Sequence, residues 1–298
     1  MIMKADDQSE VTPDVIGSHG DEAQTFRRTQ FRLGLRSLLG LGLAPLGRKA
    51  ATFQRQLQDH NRLTHGLIIV LPGIEGCSSI NDSIVRGFVE AELPHAIHVI
   101  DWRRFSIWNP LQLAMEQYNR EQATMIVEKI RLYRNEFPDS PVHLVGHSAG
   151  AGMALFVLEA LDAVPCIESV VLLAAAVSRD FHVAQLRRRT QRGIWNFYSA
   201  LDLPTTGIGT MIVGTMDRRH AISAGALGFR SPEKLCGDAE CLLERGPQLY
   251  QVAFRPGMIR SWNFGGHFGA TNSVFVQRHI APLLAKNHVE TVSIKEAV

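Results

Sequence analysis

A chain of 298 residues with 45% apolar and 20% charged residues suits one large α/β domain or two small ones, and excludes a collagen, a repeat array or a wholly disordered chain. The formal net charge of +2 is too small to point to nucleic acid as a partner, and with no run of about 18 uncharged apolar residues no transmembrane helix is predicted. The four cysteines form no CxxC pair and lack histidine neighbours at zinc spacing. They read as free thiols of a cytoplasmic protein, with a Cys236–Cys241 bridge as the alternative in an oxidising compartment.

Residues 1–60 stand apart as a flexible N-terminal extension, followed by a domain over 61–298. Residues 1–25 are polar and read as disordered. Residues 26–50 carry Arg27, Arg28, Arg32, Arg36, Arg48 and Lys49 and no acid. Three readings compete for this basic stretch: a leader helix docked on the domain, peripheral contact with an anionic membrane, or a twin-arginine export signal. The glycines between 34 and 47 weaken a helix there.

From His65 onward, apolar runs alternate with helical periodicity. Leu67–Leu71, Ala96–Ile100, Val142–Val145, Ser169–Val177 and Ile194–Ser199 read as strands, and Met258–Phe264 as a sixth. Met115, Tyr118, Ile126, Ile130, Tyr133 and Phe137 keep one face of a long helix apolar, which Pro138 stops. Ala149–Ala163 and Ala270–Lys286 read as further helices. Continuous apolar strands separated by helices predict an α/β fold, a mostly parallel sheet covered on both faces, with function at the carboxyl ends of its strands.

The third strand runs into Gly146-His147-Ser148-Ala149-Gly150, with a helix directly after it. A serine on so tight a strand-to-helix turn is lifted into the cleft, and side chains at 146 and 150 would collide with neighbouring backbone. Acyl transfer needs N–H groups already aimed at the developing oxyanion. Ala149 after the nucleophile and Ile74 in Leu71-Pro72-Gly73-Ile74-Glu75-Gly76 are the expected donors. The base should lie late in the chain, and His267 sits in a glycine-rich loop, Phe264–Gly269, ahead of the last helix. The orienting acid is expected at Asp202, three residues after the fifth strand, with Asp217 as rival and Asp180 as a weaker one. Trp102, Phe105 and Trp108, after the second strand, are expected to line an uncharged substrate pocket, or else to pack beneath their loop.

From Gly66 to Leu284 the chain resembles the α/β-hydrolase family in its lipase and esterase branch, on GHSAG at 146–150, LPGIEG at 71–76, Asp202 after a strand and GGHFG at 265–269. The resemblance implies hydrolysis of a small-molecule ester through an acyl-enzyme on Ser148, with no cofactor. A thioesterase or acyltransferase with the same residues, and a binding protein that keeps the fold without catalysis, are the alternatives. A serine at the elbow disfavours a dehalogenase, whose nucleophile would be an aspartate. Two departures are visible: little room for an opening strand pair before Leu67, and a long gap from Asp202 to His267, so that residues 203–257 are expected to hold a lid or insertion.

Overall fold

The structure, a computed structural model, describes residues 15–41, 57–104, 109–161, 167–204, 208–230 and 248–285. Its centre is a six-stranded, all-parallel sheet in the order β2-β1-β3-β4-β5-β6. In chain order the main elements are helix α1 (Val15–Leu41), β1 (Leu67–Leu71), α2 (Ser79–Glu90), β2 (Ala96–Val99) and α3 (Glu116–Glu136). There follow β3 (Val142–His147), α4 (Ala149–Ala160), β4 (Ile167–Leu173), β5 (Thr190–Tyr198) and β6 (Gln248–Ala253). A closing helical stretch runs Ser273–Phe275, a π turn Val276–Ile280, and Ala281–Leu284, with Pro282 in the last turn.

Strand β1 is buried at every position, and its alternation sorts the core into two layers. Leu67, Ile69 and Leu71 pack with Leu144, Ile126, Ile130 and the residues of α4. Ile68 and Val70 pack on the other face with Ile84 and Phe88 of α2, and with Phe275 and Ile280. Burial of apolar surface on both faces, at about 25 cal/mol per Å², is what pins the strands in register. The sheet begins at β2, with no strand pair ahead of β1 among the described residues.

Two segments differ from the sequence reading. The sixth strand is Gln248–Ala253, while Met258–Phe264, expected to be that strand, contains most of a 3₁₀ turn over Pro256–Ser261. The span 203–257 is therefore not all insertion, since its end is the edge of the sheet. Its described middle is no detached lid either: Met216, Ala224, Ala226 and Phe229 are buried in the domain.

Of the readings of the N-terminal stretch, the docked helix matches the structure over residues 15–41, which form a helix that packs on α2 and the closing helical stretch. Leu33 is buried. Asn272 Nδ2 donates to Gly34 O (3.1 Å), Gln30 Nε2 to Gln277 Oε1 (2.6 Å) and Ser79 Oγ to Gly40 O (2.5 Å). The outer face of α1 exposes Phe26, Phe31, Leu35 and Leu39 among its arginines. Among the described residues no helix is long and apolar enough to cross a membrane.

Candidate active site

Ser148 has the backbone conformation φ 55°, ψ −119°, a region that non-glycine residues rarely occupy and that costs of order 1–3 kcal/mol. Its surroundings hold it there. Ser148 N–H donates to Leu173 O (2.8 Å), and Ser148 O accepts from Ala151 N (3.1 Å) and Ala176 N (3.1 Å). The flanking glycines are sterically required. A Cβ on Gly146 would lie 2.3 Å from Gly150 O, and one on Gly150 would lie 2.0 Å from Leu71 O. The elbow is thus pressed against the end of β1.

That contact brings the loop after β1 over the serine: a Cβ on Gly73 would be 3.0 Å from Ser148 Cβ. Among the described residues, the N–H groups of Ile74 and Ala149 enter no hydrogen bond, so both are available to an acceptor. Trp102 is 1% exposed, packed beneath this loop, and its Nε1 donates to Pro72 O (2.8 Å). Phe105 and Trp108 lie outside the described residues.

Asp202 ends a 3₁₀ turn, Ala200–Asp202, that directly follows β5, and it is fully buried. His267 Nδ1 donates to Asp202 Oδ2 at 3.0 Å, which leaves the Nε2 lone pair for a proton. The histidine loop turns through Gly265 (φ 75°) and Gly266 (φ 66°). A single hydroxyl joins the two turns, because Ser199 Oγ accepts from both Leu201 N (3.3 Å) and Gly266 N (3.0 Å). Asp217, the rival acid, is committed elsewhere. Its carboxylate accepts from Ser178 N (2.9 Å), Ser178 Oγ (2.5 Å) and Thr215 Oγ1 (2.6 Å). Asp180 pairs with Arg230 at 2.8 Å.

Two residues that sequence reasoning gave no role lie between these parts. Glu75 Oε1 accepts from Gly73 N (3.1 Å) and faces His147 Nδ1 (3.2 Å), and His147 Nε2 donates to His267 O (3.1 Å). Burial pushes Glu75 up, but the hydrogen bond and charge of His147 outweigh it and hold the carboxyl below its ordinary value. Burial likewise pushes His147 down, and the hydrogen bond and charge of Glu75 bring it above the ordinary imidazole value. The chain Gly73–Glu75–His147–His267 therefore spaces the loop over the serine from the loop that carries the histidine.

On the His267 side lies a cavity of about 330 Å³, walled by Leu38 and Leu41 of α1 and by Trp262, Phe264 and Phe268. Nothing in the sequence pattern links residues 38 and 41 to the histidine loop. Among the described residues no cluster of three or more His, Cys, Asp or Glu side chains is placed to hold a metal.

A parallel sheet, a strained serine between strand and helix, and the chain order serine, aspartate, histidine now stand together. The fold is α/β, a six-stranded parallel sheet flanked by helices. No protein-family model and no curated protein sequence matches the chain. Solved structures do. An uncharacterised protein from Bacillus cereus matches at 12% identity over 66% of this chain, with a TM-score of 0.39, and the chain spans 54% of its length. A Thermoplasma acidophilum protein described as a CIB-like hydrolase matches at 14% identity over 76% of this chain and 88% of its own, with a TM-score of 0.41. Esterase PE8 matches at 13% identity over 72% and 92%, with a TM-score of 0.41.

Proposed function

We propose that this α/β-fold chain is a serine hydrolase that cleaves uncharged carboxylic esters through an acyl-enzyme. The observation that carries this reading is the His267–Asp202 hydrogen bond at the same sheet edge as the strained Ser148. Ser148 Oγ attacks the ester carbonyl carbon while its proton passes to His267 Nε2. Asp202 holds the imidazole in the tautomer that can take that proton and stabilises the imidazolium that results. The carbonyl oxygen becomes an oxyanion and is met by the N–H groups of Ile74 and Ala149, with the N-terminus of α4 adding a favourable field. The carbon–oxygen bond to the alcohol then breaks, and the proton on His267 goes to the departing oxygen. Water repeats the sequence, gives its proton to His267, and releases the carboxylic acid and free Ser148.

The test compares wild type with Ser148→Ala, Asp202→Asn and Asp217→Asn, using fluorophosphonate labelling and short-chain ester turnover. Labelling is expected in wild type and lost in Ser148→Ala. Asp202→Asn should lower kcat by roughly 10⁴-fold, as the wrong tautomer does in related chemistry, and Asp217→Asn far less. A wild-type chain that takes no label where a known esterase does would favour the binding-protein reading of this fold. A larger loss in Asp217→Asn than in Asp202→Asn would move the acid's role to Asp217.

A further inference from the structure

The cavity beside His267 borders the histidine loop and α1, and Ser148 is not among its walls. In an ester hydrolase the two halves of the substrate leave in different directions. The acyl carbon stays on the serine, whereas the alcohol oxygen receives its proton from the histidine. We infer that this cavity takes the alcohol half of the ester, and that the N-terminal helix forms the wall that selects it. The inference rests on the proposed roles of Ser148 and His267.

The chemistry of the walls specifies the class of alcohol. Leu38, Leu41, Trp262, Phe264 and Phe268 are apolar, and the polar side chains among them are already engaged with the protein. Ser83 Oγ donates to Ser37 Oγ (2.7 Å), and Ser37 Oγ shares a hydrogen bond with Ser273 Oγ (2.8 Å). Thr271 Oγ1 donates to Phe268 O (2.7 Å), and Asn272 is bonded to Gly34 O and Val274 N. Apart from the imidazole of His267, an entering group meets hydrocarbon and no charged side chain. At about 330 Å³ the space lies at the small end of the roughly 300–1,000 Å³ typical of ligand pockets, which suits an alkyl or aryl alcohol of modest size.

The helix is built into this wall. Trp262 has φ 64°, an uncommon conformation for a bulky residue, and its indole lies flush on α1 where a Cβ on Gly34 would come within 2.1 Å of Cδ2. Phe31 of α1 and Phe264 meet the same indole edge-on, at 5.4 and 6.2 Å between ring centroids. The glycine that weakens the helix is what allows it to close the pocket.

The experiment uses the full-length protein and two ester series. One keeps a butyryl group and varies the alcohol from methyl to octyl; the other keeps methanol and varies the acyl chain. The variants are Leu38→Trp, which fills the cavity, and Leu38→Ala, which enlarges it, each checked for folding by its thermal midpoint. In Leu38→Trp the octyl-to-methyl ratio of kcat/KM should fall by at least about tenfold, and in Leu38→Ala it should shift toward longer alcohols, with the acyl-chain ratio little changed in both. A shift that follows the acyl chain instead, or no shift in either variant, overturns the inference. If wild type hydrolyses no member of either series and takes no fluorophosphonate label, the hydrolase reading itself fails and the inference fails with it.

Discussion

Both ring nitrogens of His147 face oxygen acceptors: Glu75 Oε1 at 3.2 Å and the carbonyl of His267 at 3.1 Å. A neutral imidazole has one N–H, so with Glu75 ionised only the imidazolium satisfies both, and the two then form a buried ion pair beside the proposed nucleophile. Because Glu75 is held below its ordinary value, its contribution to stability is present above the usual carboxylate range and is lost as pH falls through the folded value. Because His147 is held above its ordinary value, its contribution is full below the usual imidazole range and is lost as pH rises through the folded value. The pair therefore stabilises most strongly between about pH 5 and 6.5. Glu75→Gln should cost about 3 kcal/mol in that window, the penalty of breaking a buried pair, and the gap from wild type should narrow at higher pH. Denaturant unfolding of both proteins across pH measures it; a gap of constant size from pH 5 to 9 would mean that the contact is not ionic.

At the scale of elements, α1 makes one very close approach, at Gly34, beside the hydrogen bonds that dock it. Gly34→Ala places a methyl inside the indole of Trp262, which forces the helix or the ring to move at a cost of about 1–3 kcal/mol. Gly40→Ala is the matched control, since its Cβ would meet Ser79 Cβ at an ordinary 3.4 Å. Thermal midpoints should fall in Gly34→Ala and hold in Gly40→Ala, and trypsin should cut after Arg32 and Arg36 sooner only in the former. If trypsin treats the two variants alike, Trp262 does not anchor the helix. A docked leader helix was one of three readings of this stretch, but the surface that it meets was not legible, because that surface combines α2 with residues more than 200 positions away, such as Asn272 and Ser273. Strands β1 to β5 were legible as apolar runs because they are mostly buried. Edge strand β6 exposes Gln248, Tyr250 and Gln251 and leaves no such run, while the apolar Met258–Phe264 imitates a strand. Ser148 and its glycines were readable because the elbow is a local steric problem. Which of two aspartates meets His267 depends on how a turn after β5 folds back, and that is set by tertiary contacts such as the shared Ser199 hydroxyl.

Across the whole molecule, three histidines favour the unfolded state in acid. His143 lies in β3, packed edge-on against His95 at 5.3 Å between ring centroids, and neither of its ring nitrogens has a hydrogen-bond partner among the described residues. Burial, and then the charges of His95 and Arg192, hold it well below the ordinary imidazole value. His98 is lowered by burial and Lys129, and His279 by burial and Arg278. Each of these is neutral in the folded chain at a pH where the unfolded chain binds a proton. Below about pH 6.5 the unfolded state therefore takes up more protons, and stability falls as pH drops. His147 acts in the opposite direction. His143→Phe keeps a flat ring against His95 and removes the strongest of these titrations. Its unfolding free energy should equal or exceed that of wild type at pH 7.5, and below pH 6.5 its decline should be shallower by up to about 1.4 kcal/mol per pH unit. Urea unfolding of both proteins at several pH values from 7.5 to 5 gives the two slopes. If they run parallel, the acid sensitivity arises elsewhere, and His143 must pick up its proton while still folded.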